Sequence, residues 1–343
     1  MPPEVSVVMS VYNGEKYLAE AIESILNQRF TDFEFIIIDD GSFDSSPSLL
    51  ARYGQRDPRI LIHRFDRNRG LSTALNFGIH HARGEYIARM DGDDISLPNR
   101  LQEQVVFMDA HPKIDICGTW VELIGDFQGQ VWKYPTQHEA IYARMLFANT
   151  LVHPSVIMRV VSIKRHALLY DENIRYAQDY ELWSRAVTSV KLANLDQILL
   201  KHRIHAQGTG AKHREGQYKK HEMIYRRLLS PFELEYIDEN LSLHQQIGTY
   251  KYGEDIEFLR RARHWLEGLS RANHNTQVIP SNIFDAELSA RWTQSCQFSL
   301  ASPFALGFEI LASPLPFRNA THLVKLRRAL SFVFQKFFKK KQV

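Results

Sequence analysis

Acidic residues recur in this sequence at the points where apolar runs break. Asp91-Gly92-Asp93-Asp94 follows Tyr86 to Met90, Asp39-Asp40-Gly41-Ser42 follows Phe33 to Ile38, and Asp179 opens the stretch Asp179-Tyr180-Glu181-Leu182-Trp183. Carboxylate oxygens are hard ligands suited to Mg2+ or Mn2+. A divalent ion that bridges phosphates takes only one or two protein carboxylates, which an acid-Gly-acid turn supplies. The same tetrad also fits a solvated acidic turn. In the second cluster a carboxylate could accept the N–H of a nucleobase while Tyr12 stacks on its face; equally, Asp, Gly and Ser favour an ordinary turn, and Tyr12 fits a plain surface aromatic. Asp179 could act as general base toward a hydroxyl within hydrogen-bond reach, or cap the helix that Leu182, Trp183 and Ala186 mark out. His153-Pro154-Ser155 and His202-Arg203-Ile204-His205 add imidazole and guanidinium groups. Arg203 has the fork to pair with a diphosphate and His205 could complete a metal shell, although a lone His is more often a satisfied structural residue.

For these groups to act together, the chain must bring them to one place. Val5 to Val11, VSVVMSV, is a nearly continuous apolar run, the pattern of a strand buried on both faces of a parallel sheet. Asn13-Gly14 breaks it, and Tyr17, Leu18, Ala21, Ile22, Ile25 and Leu26 then repeat at helical spacing. The alternation returns as a strand at Phe33 to Ile38, a helix around Ser48 to Tyr53 and a strand at Ile60 to His63. A helix carrying Leu71, Ala74, Leu75, Ile79 and Ala82 and a strand at Tyr86 to Met90 follow. Parallel crossovers are right-handed, and open α/β sheets bind ligands beyond the carboxyl ends of their strands. The polar clusters after Val11, Ile38 and Met90 are therefore expected to converge in one crevice.

Past Pro98 the order loosens into a helix to Ala110, strand-like pieces at Ile114 to Ile124 and Gln130 to Trp132, and a helix from His138 to Ala148. Charged helical segments, among them His221 to Leu229 and Asp255 to Leu269, come after a boundary placed near residue 210. The expected architecture is α/β: a catalytic domain over 1–210 on a mixed, mainly parallel, Rossmann-like sheet flanked by helices, then a mostly helical region over 211–343.

At 343 residues the chain exceeds the size at which one core keeps growing, which favours two units. Cys117 and Cys296, the only cysteines, form no ligand-like cluster, so neither a disulfide framework nor a zinc site is indicated. The N-terminus lacks the pattern of a signal peptide, and no run of apolar residues is long enough to span a bilayer, so a cytoplasmic protein is expected. The net charge of +3 is unevenly spread: from Arg318 onward there are eight Lys or Arg and no acid. Leu323, Leu326, Leu330, Val333, Phe334, Phe337 and Phe338 interleave them. This basic amphipathic pattern over 322–341 suits either an anionic membrane surface, on the inner face of the cell membrane, or packing on the enzyme with a solvated basic edge. The basic residues form a tail rather than a recognition module, which argues against nucleic acid as a partner.

SVVMSVYNGEKYLAEAIESILNQRFTDFEFIIIDDGSFD and NRGLSTALNFGIHHARGEYIARMDGDDISLPNRL, in this order and spacing, resemble the opening and the central signature of the family-2 glycosyltransferases with the GT-A fold. The resemblance runs from about Val5 to His205. It implies an inverting, metal-dependent hexosyl- or N-acetylhexosaminyltransferase using Mn2+ or Mg2+. Such an enzyme moves a sugar from a nucleotide diphosphate sugar, commonly a UDP-sugar, to a glycan or glycolipid acceptor in surface-polysaccharide or lipopolysaccharide synthesis. Carried onto single positions, the resemblance puts Ser10 and Tyr12 at the nucleoside, Asp40 on the base, and Asn68 and Gly70 around the nucleotide pocket. Asp91 would lie near the ribose or sugar, and Asp93 would bind the metal through the diphosphate. Asp179 matches the acid assigned as catalytic base, and His205 matches a Tyr-Arg-x-His position that approaches metal and pyrophosphate.

Two positions depart from the family pattern: Gln178 stands where Glu is common, and His202 where Tyr precedes the Arg. Asp179 preserves the base, whereas the missing Glu removes a charge that bears on acceptor choice more than on donor class. The residues together describe an in-line displacement at the anomeric carbon. Asp179 takes the acceptor proton, and the nucleoside diphosphate leaves from the opposite face. Three rivals stand beside this reading. Loading a sugar onto a polyprenyl phosphate needs little base help, because that acceptor is already ionised. Nucleotidyl transfer usually needs a Gly-rich phosphate loop that SVYNGEKY does not supply. A non-catalytic nucleotide-sugar-binding protein sits poorly with the presence of both Asp93 and Asp179.

Overall fold

The computed structural model describes residues 1–205, 214–235, 237–249, 256–298, 309 and 312–315; the basic tail expected over 322–341 lies outside them. The first half of the chain alternates as its apolar pattern requires: β1 (Val5–Val11), α1 (Leu18–Leu26), β2 (Phe33–Asp39), α2 (Ser46–Arg56), β3 (Ile60–Arg64), α3 (Leu71–His81) and β4 (Tyr86–Asp91). β1 and β2 are buried at every position but Ser10, which is why neither run alternates. β3, β2, β1 and β4 lie side by side and parallel.

The sheet continues through β5 (Ile95–Ser96), α4 (Arg100–Ala110), β6 (Ile116–Gly125), β7 (Val131–Trp132), α5 (His138–Met145), β8 (Ile157–Arg159), α6 (Val160–Arg165), α7 (Gln178–Ala186) and β9 (Leu192–Ile204). The strand order is β3-β2-β1-β4-β8-β6-β9-β5, with β7 on the side of β6. β8 runs antiparallel between β4 and β6, while β6 and β9 pair in parallel over their length. This is the expected mixed, mainly parallel sheet, its long pairings parallel and its short ones antiparallel.

One face of the sheet packs against α1, where Leu18, Ala21, Ile22 and Ile25 join Val7, Met9, Phe35, Ile37, Ala88 and Met90 in one core. Burying such side chains contributes about 1.5–3 kcal/mol each. On the other face α3 approaches closely at Gly78, where an added Cβ would meet Val8 Cγ1 at 2.5 Å. Along β4 the alternation sends Ala88 and Met90 into the α1 core, so the side chains of Arg89 and Asp91 fall on the opposite face.

The chain forms two compact units, and the sheet belongs to the first, Met1–Ile141 with Asn149–Lys220. The second gathers Tyr142–Ala148 with the described residues from His221 onward. Its helices are the later part of α8 (Arg214–Leu229), then α9 (Ile237–Gly248), α10 (Ile256–Thr276) and α11 (Ser281–Phe298), so the C-terminal region is helical, as expected. Within it His244 is fully buried and both ring nitrogens are engaged, Nε2 with the Leu146 carbonyl at 2.7 Å and Nδ1 with the Trp265 indole N–H at 3.0 Å. Among the described residues no helix is long and apolar enough to cross a membrane.

Candidate active site

β1 and β2 end together, Val11 opposite Asp39. The turn after β2 is fixed by buried polar groups. Asp39 pairs with Arg64 at 3.3 Å, and the two Asp40 carboxylate oxygens accept the backbone N–H groups of Arg69 at 2.7 Å and Gly70 at 2.9 Å. Burial raises the Asp40 pKa, the two N–H bonds pull it back, and the adjacent Asp39 charge adds to the rise. A carboxylate has about four lone-pair sites, so Asp40 keeps acceptor capacity beyond these two bonds. Gly41, at φ 74°, lies so close to the loop that a Cβ would stand 2.4 Å from the Arg67 carbonyl carbon; only glycine fits both demands. Tyr12 is 48% exposed and meets the still more exposed Phe43 edge-on, 6.1 Å between ring centroids. Tyr12, Asp40 and Gly70 thus belong to one cluster of turns, with Asn68 exposed on the same loop.

β4 delivers the acidic tetrad. Ser10 is opposite Asp91 in the β1–β4 register. One carboxylate oxygen from each of Asp91, Asp93 and Asp94 lies within 4.8 Å of the others. Asp94 is committed to the protein: it is buried, accepts the Arg203 N–H at 2.7 Å, and faces His202 Nδ1 at 3.0 Å. Burial opposes charge on His202, yet Asp94 beside it carries the imidazole pKa upward overall. Asp93 is the strained acid. Its pKa is pushed up to about 6, by burial first and then by the Asp91 and Asp94 charges, with His205 acting the other way. His205 Nε2 stands 3.0 Å from Asp93 Oδ2.

Arg203, expected to face a diphosphate, has two of its donors engaged. Nε donates to the Asp93 carbonyl at 2.7 Å and Nη2 to Glu20 at 2.6 Å, while the guanidinium lies over the Tyr17 ring at 4.2 Å. Its contacts pin the backbone of the acidic turn. With Asp94 committed, Asp93 remains with Asp91 and His205 beside it. This set of hard oxygens and one imidazole nitrogen fits Mg2+ or Mn2+, and a divalent charge would relieve the crowding that raises the Asp93 pKa.

Asp179 lies in the first turn of α7 and does not cap it. The cap position is Ala177, which adopts left-handed backbone at φ 59° and ψ 28° and makes no side-chain capping bond. A carboxylate in a first helical turn is favoured by the helix dipole. Asp179 Oδ2 accepts the side-chain N–H of Asn149 at 2.8 Å. Burial raises its pKa, while the Tyr180 backbone N–H and the Arg89 charge work against the rise. Arg89 is 2% exposed and forms an ion pair with Asp91.

The segment leading to α7 is fastened to α3. Asn76 accepts the Tyr170 N–H and donates to the Tyr170 carbonyl, both at 2.9 Å, and Thr73 donates to Glu172 at 2.8 Å. His153 behaves as a structural residue: buried, bound to the Tyr170 hydroxyl at 2.6 Å, and held neutral by burial, which drives its pKa well down.

The structure therefore places Ser10 and Asp91 on the paired strands β1 and β4, brings Arg203 and His205 from the end of β9 to Asp93, sets Tyr12, Asp40 and Gly70 at the turns beyond β1 and β2, and holds Asp179 at the start of α7 against Asn149. Sequence reasoning passed over Arg89, Asn149, Phe43 and Tyr17. Arg89 had a visible signal, a charge inside an otherwise apolar strand; Asn149 had none, since its partner is 30 residues away.

The sequence pattern described as Glycosyl transferase family 2 matches residues 6–166. An uncharacterized glycosyltransferase of Haemophilus influenzae is 34% identical over 225 residues, covering 63% of this chain and 70% of the relative. The O-antigen biosynthesis glycosyltransferase WbnJ of Escherichia coli is 33% identical over 241 residues, covering 66% of this chain and 92% of its own. Among solved structures, S. aureus TarS 1-349 in complex with UDP-GlcNAc superposes with TM-score 0.58 at 17% identity, over 85% of this chain and 90% of that one. The mannosyltransferase PcManGT of Pyrobaculum calidifontis, solved with GDP-Man and Mn2+, gives TM-score 0.50 at 15% identity, over 99% and 83%. Those structural likenesses establish the GT-A fold, and the sequence relatives show the family: the chain belongs to glycosyl transferase family 2.

Proposed function

We propose that this glycosyltransferase is inverting and metal-dependent, and that it moves a hexosyl or N-acetylhexosaminyl unit from a UDP-sugar to a hydroxyl of a glycan or glycolipid. The observation that carries the reading is the half-buried Asp179 carboxylate, bonded to Asn149 and raised in pKa by desolvation. A base that desolvation keeps reluctant to ionise, together with an acid cluster suited to a divalent ion, suits attack by a neutral hydroxyl. The UDP-GlcNAc of TarS and the GDP-Man and Mn2+ of PcManGT support the donor class and the ion, and WbnJ supports a role in surface-polysaccharide or lipopolysaccharide synthesis.

In this reading Ser10, Tyr12, Asp40, Asn68 and Gly70 hold the nucleoside, and Asp91 meets the ribose or sugar. Asp93 and His205 would hold Mn2+ or Mg2+, whose positive charge stabilises a departing diphosphate. Arg203 keeps the acidic turn in place and turns its remaining donor edge toward the phosphates. Asp179 takes the proton of the acceptor hydroxyl as the oxygen bonds to the anomeric carbon and the carbon–oxygen bond to the diphosphate breaks, inverting the configuration. Catalysis occupies 1–210, ahead of the mostly helical region 211–343. The protein works in the cytoplasm, and residues 322–341 rest on the anionic inner face of the membrane.

The test is release of nucleoside diphosphate from a panel of UDP-, GDP- and dTDP-sugars, with Mn2+ and with chelator. Metal-dependent release from a UDP-sugar is expected. Silence across the panel together with no nucleotide binding by calorimetry would overturn the reading.

A further inference from the structure

The hairpin that joins β6 to β7 stands beside the histidines that face the acidic tetrad. β6 and β9 run in parallel, with Leu123 opposite His202 and Gly125 opposite Ile204. The turn is fastened at both sides: Asp126 donates its backbone N–H to the Ile204 carbonyl at 3.0 Å, and Leu123 donates to the Gln130 carbonyl at 2.7 Å. The residue after Ile204 is His205, which meets Asp93 at 3.0 Å. Farther along the hairpin the Trp132 indole lies against the His202 imidazole, 5.8 Å between ring centroids, and His202 Nδ1 faces Asp94 at 3.0 Å. Phe127 on the turn and Trp132 on β7 therefore flank the strand end that carries both histidines.

Phe127, Val131 and Trp132 are 48%, 37% and 38% exposed. An exposed apolar side chain is ordinary when it stands alone. Three on one short hairpin next to a polar site form a contact surface. The strand order tells which ligand reaches it. β1 and β2, whose turns hold the nucleoside in the reading above, lie on one side of β4 and its acids; β8, β6 and β9 lie on the other, with β7 on β6. A group resting on the hairpin is thus across the acids from the nucleoside, where the sugar ring that receives the transferred unit must stand.

We propose that this hairpin is an acceptor subsite, in which a pyranose ring of the glycan rests on the Trp132 indole with Phe127 beside it. A pyranose has an apolar C–H face and a rim of hydroxyls. The indole offers an electron-rich face to the C–H groups and a large, rigid contact area. Asp126 and Gln130, exposed on the same turn, can bond the hydroxyls. An aromatic surface made for an anionic membrane carries Lys and Arg around it, whereas the turn Asp126-Phe127-Gln128-Gly129-Gln130 has an acid and no base. The proposal rests on the reading above in which the acceptor is a glycan or glycolipid.

The experiment uses the full-length protein labelled with fluorinated tryptophan, the Trp132 fluorine resonance being identified by its loss in Trp132→Phe. The probes are methyl glycosides of the common hexoses, N-acetylhexosamines and deoxyhexoses, titrated in the presence of UDP and Mn2+. A saturable shift of the Trp132 resonance by at least one glycoside is expected. Affinity for that glycoside, followed by saturation transfer to its protons, should fall about tenfold in Trp132→Ala and stay within about threefold in Trp132→Phe. No shift with any glycoside, a shift with anionic lipid vesicles but no sugar, or unchanged affinity in Trp132→Ala would each overturn the proposal. If Trp132→Ala does not fold, the shift in the otherwise wild-type protein decides alone.

Nucleoside diphosphate release from the donor panel tests the transfer reading separately. If no donor is turned over, that reading fails, and a glycoside shift at Trp132 still upholds a sugar subsite there. If a donor is turned over and no glycoside moves the Trp132 resonance, the subsite alone falls.

Discussion

Asn149 donates its side-chain N–H to Asp179 Oδ2 at 2.8 Å, a bond aimed at a carboxylate that burial makes reluctant to ionise. The bond favours the charged form, which is the form a general base needs. Because the Asp179 pKa is raised, the base is lost as pH falls through a value above the ordinary 3.8 of an aspartate. The acid limb of kcat should therefore lie above that value, and Asn149→Ala should move it further up. A pH–rate profile in which the acid limb stays put in Asn149→Ala would refute the assignment.

Asp179→Asn keeps the shape and removes the basicity. Transfer should fall about 100- to 10,000-fold, the range that general-base help supplies, while UDP binding by calorimetry is unchanged. Near-normal turnover would point instead to an acceptor that is already ionised, such as a polyprenyl phosphate.

Asp93→Ala should lower turnover by on the order of 100-fold or more, since the ion it would hold contributes several kcal/mol to the departing charge. Proton and metal compete for this carboxylate, whose pKa is about 6. Mn2+ affinity should decline as pH drops through that region. Titration calorimetry at two pH values checks both statements.

Gly41→Ala would place a Cβ 2.4 Å from the Arg67 carbonyl carbon at a φ of 74°. The expected cost is about 1–3 kcal/mol, seen as a lower Tm and as weaker UDP binding, because the displaced loop carries Arg69 and Gly70 away from Asp40. An alanine variant with unaltered melting and binding would mean the turn is not part of the nucleotide pocket.

His244 in the helical unit has its pKa lowered to about 4, chiefly by burial. Its Nδ1 accepts from Trp265, so a second proton has no place to sit. The unfolded chain binds that proton near pH 6.5 and the folded one does not, so stability is full above 6.5 and declines as pH falls toward 4. The full loss is roughly 3 kcal/mol. Denaturant melts of wild type and His244→Gln across this window should show a shallower acid decline in the variant.

The outline of the fold was legible because β1, β2 and β4 are buried on both faces and end abruptly in polar turns. VSVVMSV and FEFIIID can be little else, and Asp39-Asp40 and Asp91-Gly92-Asp93-Asp94 mark where they stop. Long-range pairing was not legible. The parallel match of β6 with β9 and the return of Tyr142–Ala148 to the helical unit depend on segments that carry no local sign of their partners. From its residue type alone Asp179 reads more readily as a cap than as a base; the backbone of Ala177, which no propensity favours, removed the first option. Arg203 has the right chemistry for phosphate, but only the structure shows two of its donors already holding the acidic turn.

Ala177 has a wider consequence. A left-handed residue with a Cβ costs about 1–2 kcal/mol, and this one stands two positions before Asp179. Glycine there would remove the cost and loosen the backbone that aims the carboxylate. Laboratory evolution toward heat tolerance and evolution toward faster turnover would then favour different residues at position 177, a local conflict between durability and speed confined to one methyl group.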